Sequence, residues 1–360
     1  MPLPPARIVR AVEGVRTGLQ RLARKLAPPP FSLLEMIQGA MLSQAIYAAA
    51  ELRVAEALRD GPLPVAQLAE RVGAHPDSLQ RVLRLLASND IFAERKDGSF
   101  ALTPMARALL QDAPMSMHGI AVLMGHPIHW EDWSHFVDAV RSGEPSLPKL
   151  RGMTAFEFLE AKPEYGEVFT KGMGAMSATE TEPILAAYDF SRFGTVVDFC
   201  AGRGELLAGV LKKSPGVRGI LSDPRVGENG AAAYLAEQGV ADRCEVVAND
   251  MFGPVPEGGD AYILKHIVHD WPEEKILEIL GNVRAAMRPG GRLLLMEMVV
   301  PDKPNATHAS KLVDLWLMLL VGGKERTAAQ YSELLAAAGF RLERVVETPA
   351  AISVVEASLR

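Results

Sequence analysis

Glycines and carboxylates follow one another in this chain at a spacing suited to binding a nucleoside. Asp198 closes an apolar run and leads into Gly202 and Gly204, after which helix-forming residues begin. Glycines at such a turn let backbone N–H groups approach a ligand, and the helix N-terminus that follows favours a carboxylate. Asp223 stands 19 residues beyond Gly204, where it can accept hydrogen bonds from ribose hydroxyls. This spacing predicts a cofactor that contains a nucleoside.

Further positions narrow the choice of cofactor. A dinucleotide is disfavoured, because Leu207 occupies the position where a third glycine would let the helix close onto a pyrophosphate. Asp198 can instead face the amino group of a methionine moiety. Asp250 can accept a hydrogen bond from an adenine amino group, while Met251 and Phe252 pack on the ring. Together these residues predict S-adenosylmethionine (SAM).

An imidazole after a later apolar run is the candidate general base. His269 lies in the sequence His-Asp-Trp, shortly after Lys265. An imidazole of ordinary pKa, about 6.5, can accept a phenolic proton near neutral pH. Methyl transfer from a sulfonium is an in-line displacement on an activated donor, so one base and good alignment suffice. Asp270 is expected to brace the loop, and strand alternation is expected to point His266 away from Lys265.

Two longer stretches carry a resemblance to a known family. Residues 264–271 read LKHIVHDW, and residues 322–327 read GGKERT. From about Leu34 to the C-terminus the chain resembles the SAM-dependent small-molecule O-methyltransferases of plant caffeic-acid and bacterial antibiotic pathways. The resemblance implies a winged-helix dimerisation domain, a homodimer, and a small aromatic or polyketide-like acceptor that carries a hydroxyl group.

The resemblance also implies roles for individual residues. Lys265 contacts the cofactor, and Glu297 and Glu325 are the two acids that flank His269. A carboxylate that holds the second nitrogen of an imidazole fixes its tautomer and stabilises the imidazolium. The predicted activity is therefore SAM-dependent O-methyl transfer.

The chain departs from the family in its first motif. That motif usually reads Asp-x-Gly-Gly-Gly-Thr-Gly, and here Cys200 and Ala201 replace two glycines while Arg203 replaces the threonine. If a replaced position needs a positive φ angle, its backbone is strained. Arg203 can either pair with the cofactor carboxylate or crowd it. The departure keeps open an alternative, a family member that binds SAM for non-methylating chemistry such as hydroxylation or decarboxylation.

The elements that must position these residues alternate between strands and helices after residue 190. Such alternation predicts a Rossmann-like α/β domain over residues 191–360, with a parallel sheet covered on both faces and ligands at the carboxyl ends of the strands. The predicted strands are 196–199, 219–222, 245–248, 261–265 and 292–298, and the predicted helices are 205–213, 227–238 and 272–287.

Before residue 190 the pattern divides into three predicted segments. Residues 1–30 form a basic amphipathic helix, suited either to a membrane surface or partner, or to packing within a dimer. Residues 31–112 form a winged-helix-like dimerisation domain, whose hairpin turns at Asp97-Gly98. Residues 113–190 form a helical region rich in Met, His and Trp, whose adaptable apolar side chains suit the lining of a pocket for a flat substrate. The candidate pocket residues are Met124, Trp130, Met173, Met176, Asp314 and Met318.

Composition argues against several functional classes. The 360 residues predict two domains, and a net charge of −6 argues against nucleic acid, including a DNA-binding regulator that would use Arg81 and Arg84. Cys200 and Cys244 have neither disulfide density nor zinc spacing, which indicates a reducing compartment. The chain shows no membrane-spanning run and no signal peptide, so a cytoplasmic location without stable membrane insertion is expected. No metal is expected, because no cluster of His and carboxylates with ligand spacing is evident beside the base.

Overall fold

A computed structural model describes residues 4–360 of the chain, which divide into two units. One unit takes in the chain up to Val15, Ala139–Leu147 and Glu180–Arg360. The other comprises Arg16–Asp138 and Pro148–Thr179. None of the helices in the described part of the chain is both long and apolar enough to cross a membrane.

Two long helices open the chain, α1 (Ala6–Leu26) and α2 (Pro29–Glu51). Pro29 starts α2, a position where the missing N–H would have no helical partner and the fixed φ favours the helix. Helix α1 follows the predicted basic amphipathic pattern and buries none of its residues. Both helices therefore present large apolar side chains to solvent in the single chain.

The next segment has the predicted winged-helix arrangement. Its elements are α3 (Val54–Ala57), β1 (Leu63–Pro64), α4 (Val65–Val72), α5 (Pro76–Ala87), β2 (Phe92–Glu94), β3 (Ser99–Leu102) and α6 (Pro104–Arg107). The three strands form an antiparallel sheet in the order β1-β3-β2, and Gly98 turns the hairpin at φ +78°. On α5, Arg81 lies 2.7 Å from Asp77 and Arg84 lies 3.6 Å from Glu94, so acids neutralise both.

The segment that follows is helical, as predicted. Its helices are α7 (His118–Gly125), α8 (Pro127–Ser134), α9 (Phe136–Ser142), α10 (Ser146–Arg151), α11 (Ala155–Ala161) and α12 (Pro163–Ala187). Ile184 in the last turn of α12 and Tyr188 just beyond the helix are buried against the strands of the first unit. The division of the chain at residues 30, 112 and 190 stays a prediction.

The remaining elements form the predicted α/β domain. They are β4 (Thr195–Phe199), α13 (Glu205–Lys213), β5 (Arg218–Asp223), α14 (Ala231–Glu237), a 3₁₀ turn (Ala241–Arg243), β6 (Cys244–Ala248), β7 (Ala261–Lys265), α15 (Glu273–Ala286), β8 (Arg292–Glu297), β9 (Val299–Val300), α16 (Ser310–Leu320), β10 (Arg326–Thr327), α17 (Ala328–Ala337), β11 (Phe340–Glu347) and β12 (Ser353–Leu359). Seven strands pair in the order β11-β12-β8-β7-β4-β5-β6. β4 to β8 run parallel, and β11 and β12 are antiparallel, so the sheet is mixed.

The order of the strands places the site. From β4 the chain moves outward through β5 to β6, then returns to β7 on the other side of β4. The carboxyl ends of β4 and its neighbours therefore meet at a topological switch point, where open α/β sheets bind ligands. Apolar side chains from the two faces of the sheet form separate buried clusters, which hold these strand ends rigidly.

One predicted element was wrong at its start. The helix expected over 227–238 begins at Ala231, because Gly230 at φ +72° sits at the N-cap in a left-handed conformation. The residues between Asp223 and Gly230 form a turn instead, and the Asn229 side chain donates to the carbonyl of Gly202 at 2.8 Å. This turn therefore supports the glycine loop.

Candidate active site

The glycine loop between β4 and α13 contains three residues in the left-handed backbone conformation. Cys200, Gly202 and Gly204 have φ angles of +61°, +56° and +84°. A side chain on Gly204 would collide with Leu221, whereas the position above Gly202 is open. The loop thus packs closely on one side and offers bare backbone on the other. One of the two replaced glycines, at Cys200, is indeed a position that requires positive φ.

Because the backbone at Cys200 is strained, we expect Cys200→Gly to be more stable than Cys200→Ala, the reverse of the usual order. Glycine is less stabilising than alanine by about 0.5–1 kcal/mol at ordinary positions, whereas a left-handed non-glycine residue costs about 1–2 kcal/mol. Cys200→Gly should therefore unfold at higher denaturant than Cys200→Ala. Cys244, the first residue of β6 at φ −127°, is the matched control, where alanine should be the more stable. The same order at both cysteines would contradict strain at Cys200.

Asp223 holds the glycine loop in place. Its side chain is buried, and Oδ2 accepts from the N–H of Gly202 at 2.9 Å while Oδ1 accepts from that of Arg225 at 2.9 Å. The replaced threonine position, Arg203, turns away from this carboxylate. Its Nε lies 2.9 Å from Glu205, and its guanidinium stacks over the ring of Tyr234. The loop is therefore fixed by carboxylates on both sides.

Asp198 is a buried carboxyl at the end of β4. Burial raises its pKa to about 7, the charges of Glu205 and Asp223 act in the same direction, and Lys265 opposes them. A carboxyl poised near neutrality becomes fully ionised when a cation approaches it. Asp198 therefore fits a cationic amino group.

The turn after β6 carries the predicted adenine residues. Asp250 is exposed, and its Oδ1 accepts from the N–H of Phe252 at 3.0 Å. Phe252 packs edge-on against Trp271 with ring centroids 5.1 Å apart, and Met251 packs beside the same apolar cluster. An exposed carboxylate beside partly buried apolar side chains suits a base with an exocyclic amine. With Asp198, Asp223 and the bare backbone at Gly202, this donor and acceptor set fits a nucleoside with a cationic tail.

A buried acid that was not predicted from the sequence contacts both Lys265 and His266. Glu180, on α12, lies 2.9 Å from Lys265 Nζ and 2.8 Å from His266 Nε2. Burial opposes its ionisation, but the interactions with His266 and Lys265 lower the pKa of Glu180 to about 2. The expectation that strand alternation separates Lys265 from His266 is wrong, because β7 ends at Lys265 and His266 adopts φ +54°. The His266 ring stacks on that of His269 at 5.0 Å.

The structure brings His269, Glu297 and Glu325 together. His269 Nδ1 lies 3.0 Å from Glu325 Oε1 and 3.3 Å from Glu297 Oε2, and all three side chains are buried. Oε1 of Glu297 accepts from the N–H groups of Ile267 and Val268, at 3.2 and 2.8 Å. The carboxylate thus holds both the imidazole and the loop that carries it. Asp270 lies 3.6 Å from the other ring nitrogen, Nε2.

A two-residue parallel ladder sets the two acids side by side. Val299 pairs with Arg326 and Val300 pairs with Thr327, so β9 starts just after Glu297 and β10 just after Glu325. Because the ladder fixes the register, neither acid can slide along its strand relative to the other.

Two residues beside Glu325 hold its loop against the loop that carries His269, and Asp314 binds the backbone of Glu325. The Lys324 N–H donates to the carbonyl of His269 at 2.9 Å, and Arg326, which is buried, donates to that of Val268 at 3.2 Å. Asp314, on α16, accepts from the Glu325 N–H at 2.8 Å. Its carboxylate thus holds the backbone of Glu325. That Asp314 lines the acceptor pocket stays a prediction.

The pKa of His269 differs from the value expected from the sequence. Burial alone would lower the pKa of His269, but the charges of Glu297, Asp270 and Glu325 and the hydrogen bond to Glu325 raise it to about 10. An ordinary pKa near 6.5 is therefore wrong, and the imidazole holds a proton at neutral pH. Since the folded pKa lies above the unfolded one, this interaction stabilises the fold in full below about pH 6.5. The stabilisation is lost as pH rises toward 10.

The expectation that no His and carboxylate cluster lies beside the base is wrong. Ligand-type atoms of His266, His269 and Glu297 lie within 4.8 Å of one another. The contacts favour proton chemistry for this group, because carboxylates already hold His269 Nδ1 and His266 Nε2. That no metal takes part in the reaction stays a prediction.

The other candidate pocket residues lie in separate units. Met124, Trp130, Met173 and Met176 belong to the second unit, where Trp130 Nε1 donates to the carbonyl of Met124 at 2.9 Å. Met318 belongs to the first unit and is partly buried on α16. Their role in binding an acceptor stays a prediction.

Family profiles match both parts of the chain. Residues 133–341 match the O-methyltransferase domain, and residues 34–112 match the O-methyltransferase dimerisation domain. The chain is 40% identical to a phenazine O-methyltransferase of Lysobacter antibioticus, covering 90% of this chain and 95% of that protein. It is 39% identical to the mitomycin biosynthesis 6-O-methyltransferase of Streptomyces lavendulae, covering 86% and 88%.

Further relatives bear on the cofactor and on the acceptor atom. A methyltransferase of calicheamicin biosynthesis, solved with bound S-adenosylhomocysteine (SAH), has a TM-score of 0.80 and 34% identity, covering 92% of this chain and 98% of that one. The 8-amino-8-demethylriboflavin N,N-dimethyltransferase of Streptomyces davaonensis is 35% identical, covering 82% and 85%. These matches support methyl transfer and give no support to the non-methylating alternative. The chain belongs to the family of SAM-dependent O-methyltransferases, with a dimerisation domain ahead of the catalytic domain.

Proposed function

We propose that this chain methylates a hydroxyl group on a small aromatic or polyketide-like molecule, with His269 as the general base. The position of the imidazole carries the proposal, because Nδ1 lies within 3.3 Å of both Glu297 and Glu325. Two carboxylates on one ring nitrogen fix the tautomer, so Nε2 is the nitrogen that takes the acceptor's proton. Relatives named for phenazine and mitomycin biosynthesis support an acceptor of this kind.

The residues of the glycine loop and of the strand ends are assigned to the cofactor. SAM, when bound, supplies a methyl group on a sulfonium, so the donor needs no further activation. Gly202 and Gly204 are assigned to the methionine end of the cofactor, because the space above Gly202 is open, and Asp198 suits its amino group. The ribose hydroxyls are assigned to Asp223. The adenine is assigned to Asp250, with Met251 and Phe252 against the ring. Lys265, whose charge lowers the pKa of Asp198, is also assigned to the cofactor.

Proton transfer sets the pH at which the protein works. His269 must lose its own proton before it takes one from the acceptor, and its pKa is raised to about 10. The carboxylates that raise the pKa also stabilise the imidazolium formed in the reaction, which makes the ring a stronger base. The rate of methyl transfer should therefore rise with pH through the neutral range.

Titration calorimetry and acceptor screening test the proposal together. SAM and SAH should both bind the purified chain at micromolar strength, and Asp250→Asn should weaken SAH binding about ten-fold, since a carboxylate hydrogen bond contributes about 1.5–3 kcal/mol. Asp242→Asn, an exposed acid in the 3₁₀ turn, is the matched control. Mass spectrometry should then show the gain of one methyl group on phenols with two or three fused rings. Absence of SAM and SAH binding would contradict the proposal.

We further propose that the chain forms a homodimer through α1 and α2. Both helices expose large apolar side chains, and residues 34–112 match a dimerisation domain. The exposed set is Ile8, Val12, Val15, Leu19, Leu22, Leu26, Phe31, Leu33, Leu34, Met36, Ile37 and Met41. Light scattering should give twice the chain mass of 38.9 kDa, and Ile37→Glu should shift it to the monomer. Leu85→Glu on α5 is the control, and a monomeric wild type would contradict the proposal.

A further inference from the structure

Behind the histidine, three buried polar atoms have no hydrogen-bond partner in the described part of the chain. They are Oε2 of Glu325, the hydroxyl oxygen of Tyr331, and Oε2 of Glu297, which forms an ion pair with His269 Nδ1 at 3.3 Å but no hydrogen bond. Tyr331 and Glu297 are fully buried, and Glu325 is 4% exposed. Leaving polar atoms in this state costs free energy, and native proteins rarely do so without a partner such as an ordered water.

These three atoms belong to one neighbourhood. Glu297 and Glu325 both contact His269 Nδ1, and Tyr331 lies on α17, which follows β10 and Glu325 directly. Burial, followed by the charges of Glu297 and Glu325, raises the pKa of Tyr331 well above its ordinary value, so the group remains a neutral donor. One donor therefore faces two acceptors that it does not bond directly.

A single water satisfies this set, because its oxygen can accept one hydrogen bond while its two hydrogens are donated. Buried waters commonly make about three such bonds to buried polar groups that otherwise lack partners. We propose that one buried water accepts from the Tyr331 hydroxyl and donates to Oε2 of Glu297 and Oε2 of Glu325, the former beside its ion pair with His269. Tyr331 is then a positioning residue for His269, and that role rests on the proposed function.

The water and the phenol act on the histidine through the two acids. A hydrogen bond to a carboxylate stabilises its ionised form, and ionised carboxylates stabilise the imidazolium. Without the phenol the imidazolium is held less strongly, so its pKa falls. Other charged or titratable groups also face this cluster, namely Glu180 on α12, Lys265 at the end of β7, His266 and Asp270 in the histidine loop, Asp314 on α16, and Arg326. Tyr331→Phe leaves all of these residues in place.

Tyr331→Phe removes one oxygen atom and tests the proposal. NMR titration of ¹⁵N-labelled imidazoles, with His269→Asn to assign the signal, should show the His269 midpoint falling by roughly half a pH unit or more. Tyr262→Phe is the matched control, because Tyr262 is equally buried in the same cluster and its hydroxyl already bonds the carbonyls of Ala286 and Pro256 at 2.9 and 3.0 Å. The His269 midpoint should stay in place in that control.

The outcomes separate the network from the catalytic role. An unchanged His269 midpoint in Tyr331→Phe overturns the proposal, and so does an equal shift in Tyr262→Phe, which would mark a general effect of the core. A crystal structure with no water between Tyr331 and the two acids also overturns it. If the midpoint shifts while His269→Asn keeps its activity, the water network stands and the general-base assignment fails.

Discussion

Replacing His269 by asparagine should lower kcat for methyl transfer about a thousand-fold, because a positioned general base contributes about 10² to 10⁴ in rate. Asparagine keeps a polar group between Glu297 and Glu325 but cannot take a proton from a phenol. The residue lies in the loop after β7 and is not among the side chains assigned to the cofactor. The affinity for SAH, measured by calorimetry, should therefore stay within a few-fold of the wild type.

The pH dependence sharpens this test. In the wild type the rate should rise as the imidazolium loses its proton, whose pKa is raised toward 10, and the residual rate of His269→Asn should lack this limb. His75→Asn, which removes an exposed imidazole in the other unit, is the matched control and should keep the full rate. A variant at position 269 that kept a tenth or more of the wild-type kcat would remove histidine from the mechanism.

Gly323→Ala should be nearly as damaging, although the residue carries no side chain. A Cβ atom at this position would overlap the carbonyl oxygen of His269 and lie 3.0 Å from its carbonyl carbon. Because the obstacle is backbone, no rotamer relieves the overlap, and the two loops must separate. A displacement of about 1 Å at a catalytic group costs about a hundred-fold in rate. We expect that loss in kcat, with a decrease of about 1–3 kcal/mol in the free energy of unfolding from overpacking.

A second glycine provides the control for that substitution. Gly281 lies within α15, and nothing approaches within 4 Å of its Cβ position. Alanine is preferred to glycine by about 1 kcal/mol inside a helix, so Gly281→Ala should raise the free energy of unfolding slightly and leave kcat unchanged. Denaturant unfolding and steady-state rates measure both. Wild-type kcat in Gly323→Ala would show that the contact between the two loops does not position the base.

The sequence predicts the sheet well because its strands are buried on both faces. Strand β7 and helix α13 fall on their predicted residues, since an apolar run and a glycine turn mark their limits. The antiparallel pair β11 and β12 was not predicted, because it follows the segment in which strands and helices alternate. Helix α14 was predicted too early, because Asn229 and Gly230 form a cap whose positive φ no periodicity reveals.

The candidate site was predictable in its residues but not in its electrostatics. His269, Glu297 and Glu325 stand in recognisable motifs, whereas the raised pKa depends on distances that only the fold sets. Glu180 was missed because its partner Lys265 is distant along the chain. A signal did exist, since Glu180 is followed at spacings of four residues by Ile184, buried on α12, and by Tyr188, buried just beyond its end. An acid on an apolar helical stripe indicates a buried cation nearby.

The short ladder between β9 and β10 has a consequence for how such proteins diversify. It anchors both ends of residues 301–325, the segment that includes α16. Substitutions on the exposed face of this helix, at Leu312 or Leu315, leave the two acids at their fixed separation. Substitutions can therefore accumulate in the enclosed segment while Glu297 and Glu325 keep their positions, provided that Asp314 keeps its bond to Glu325.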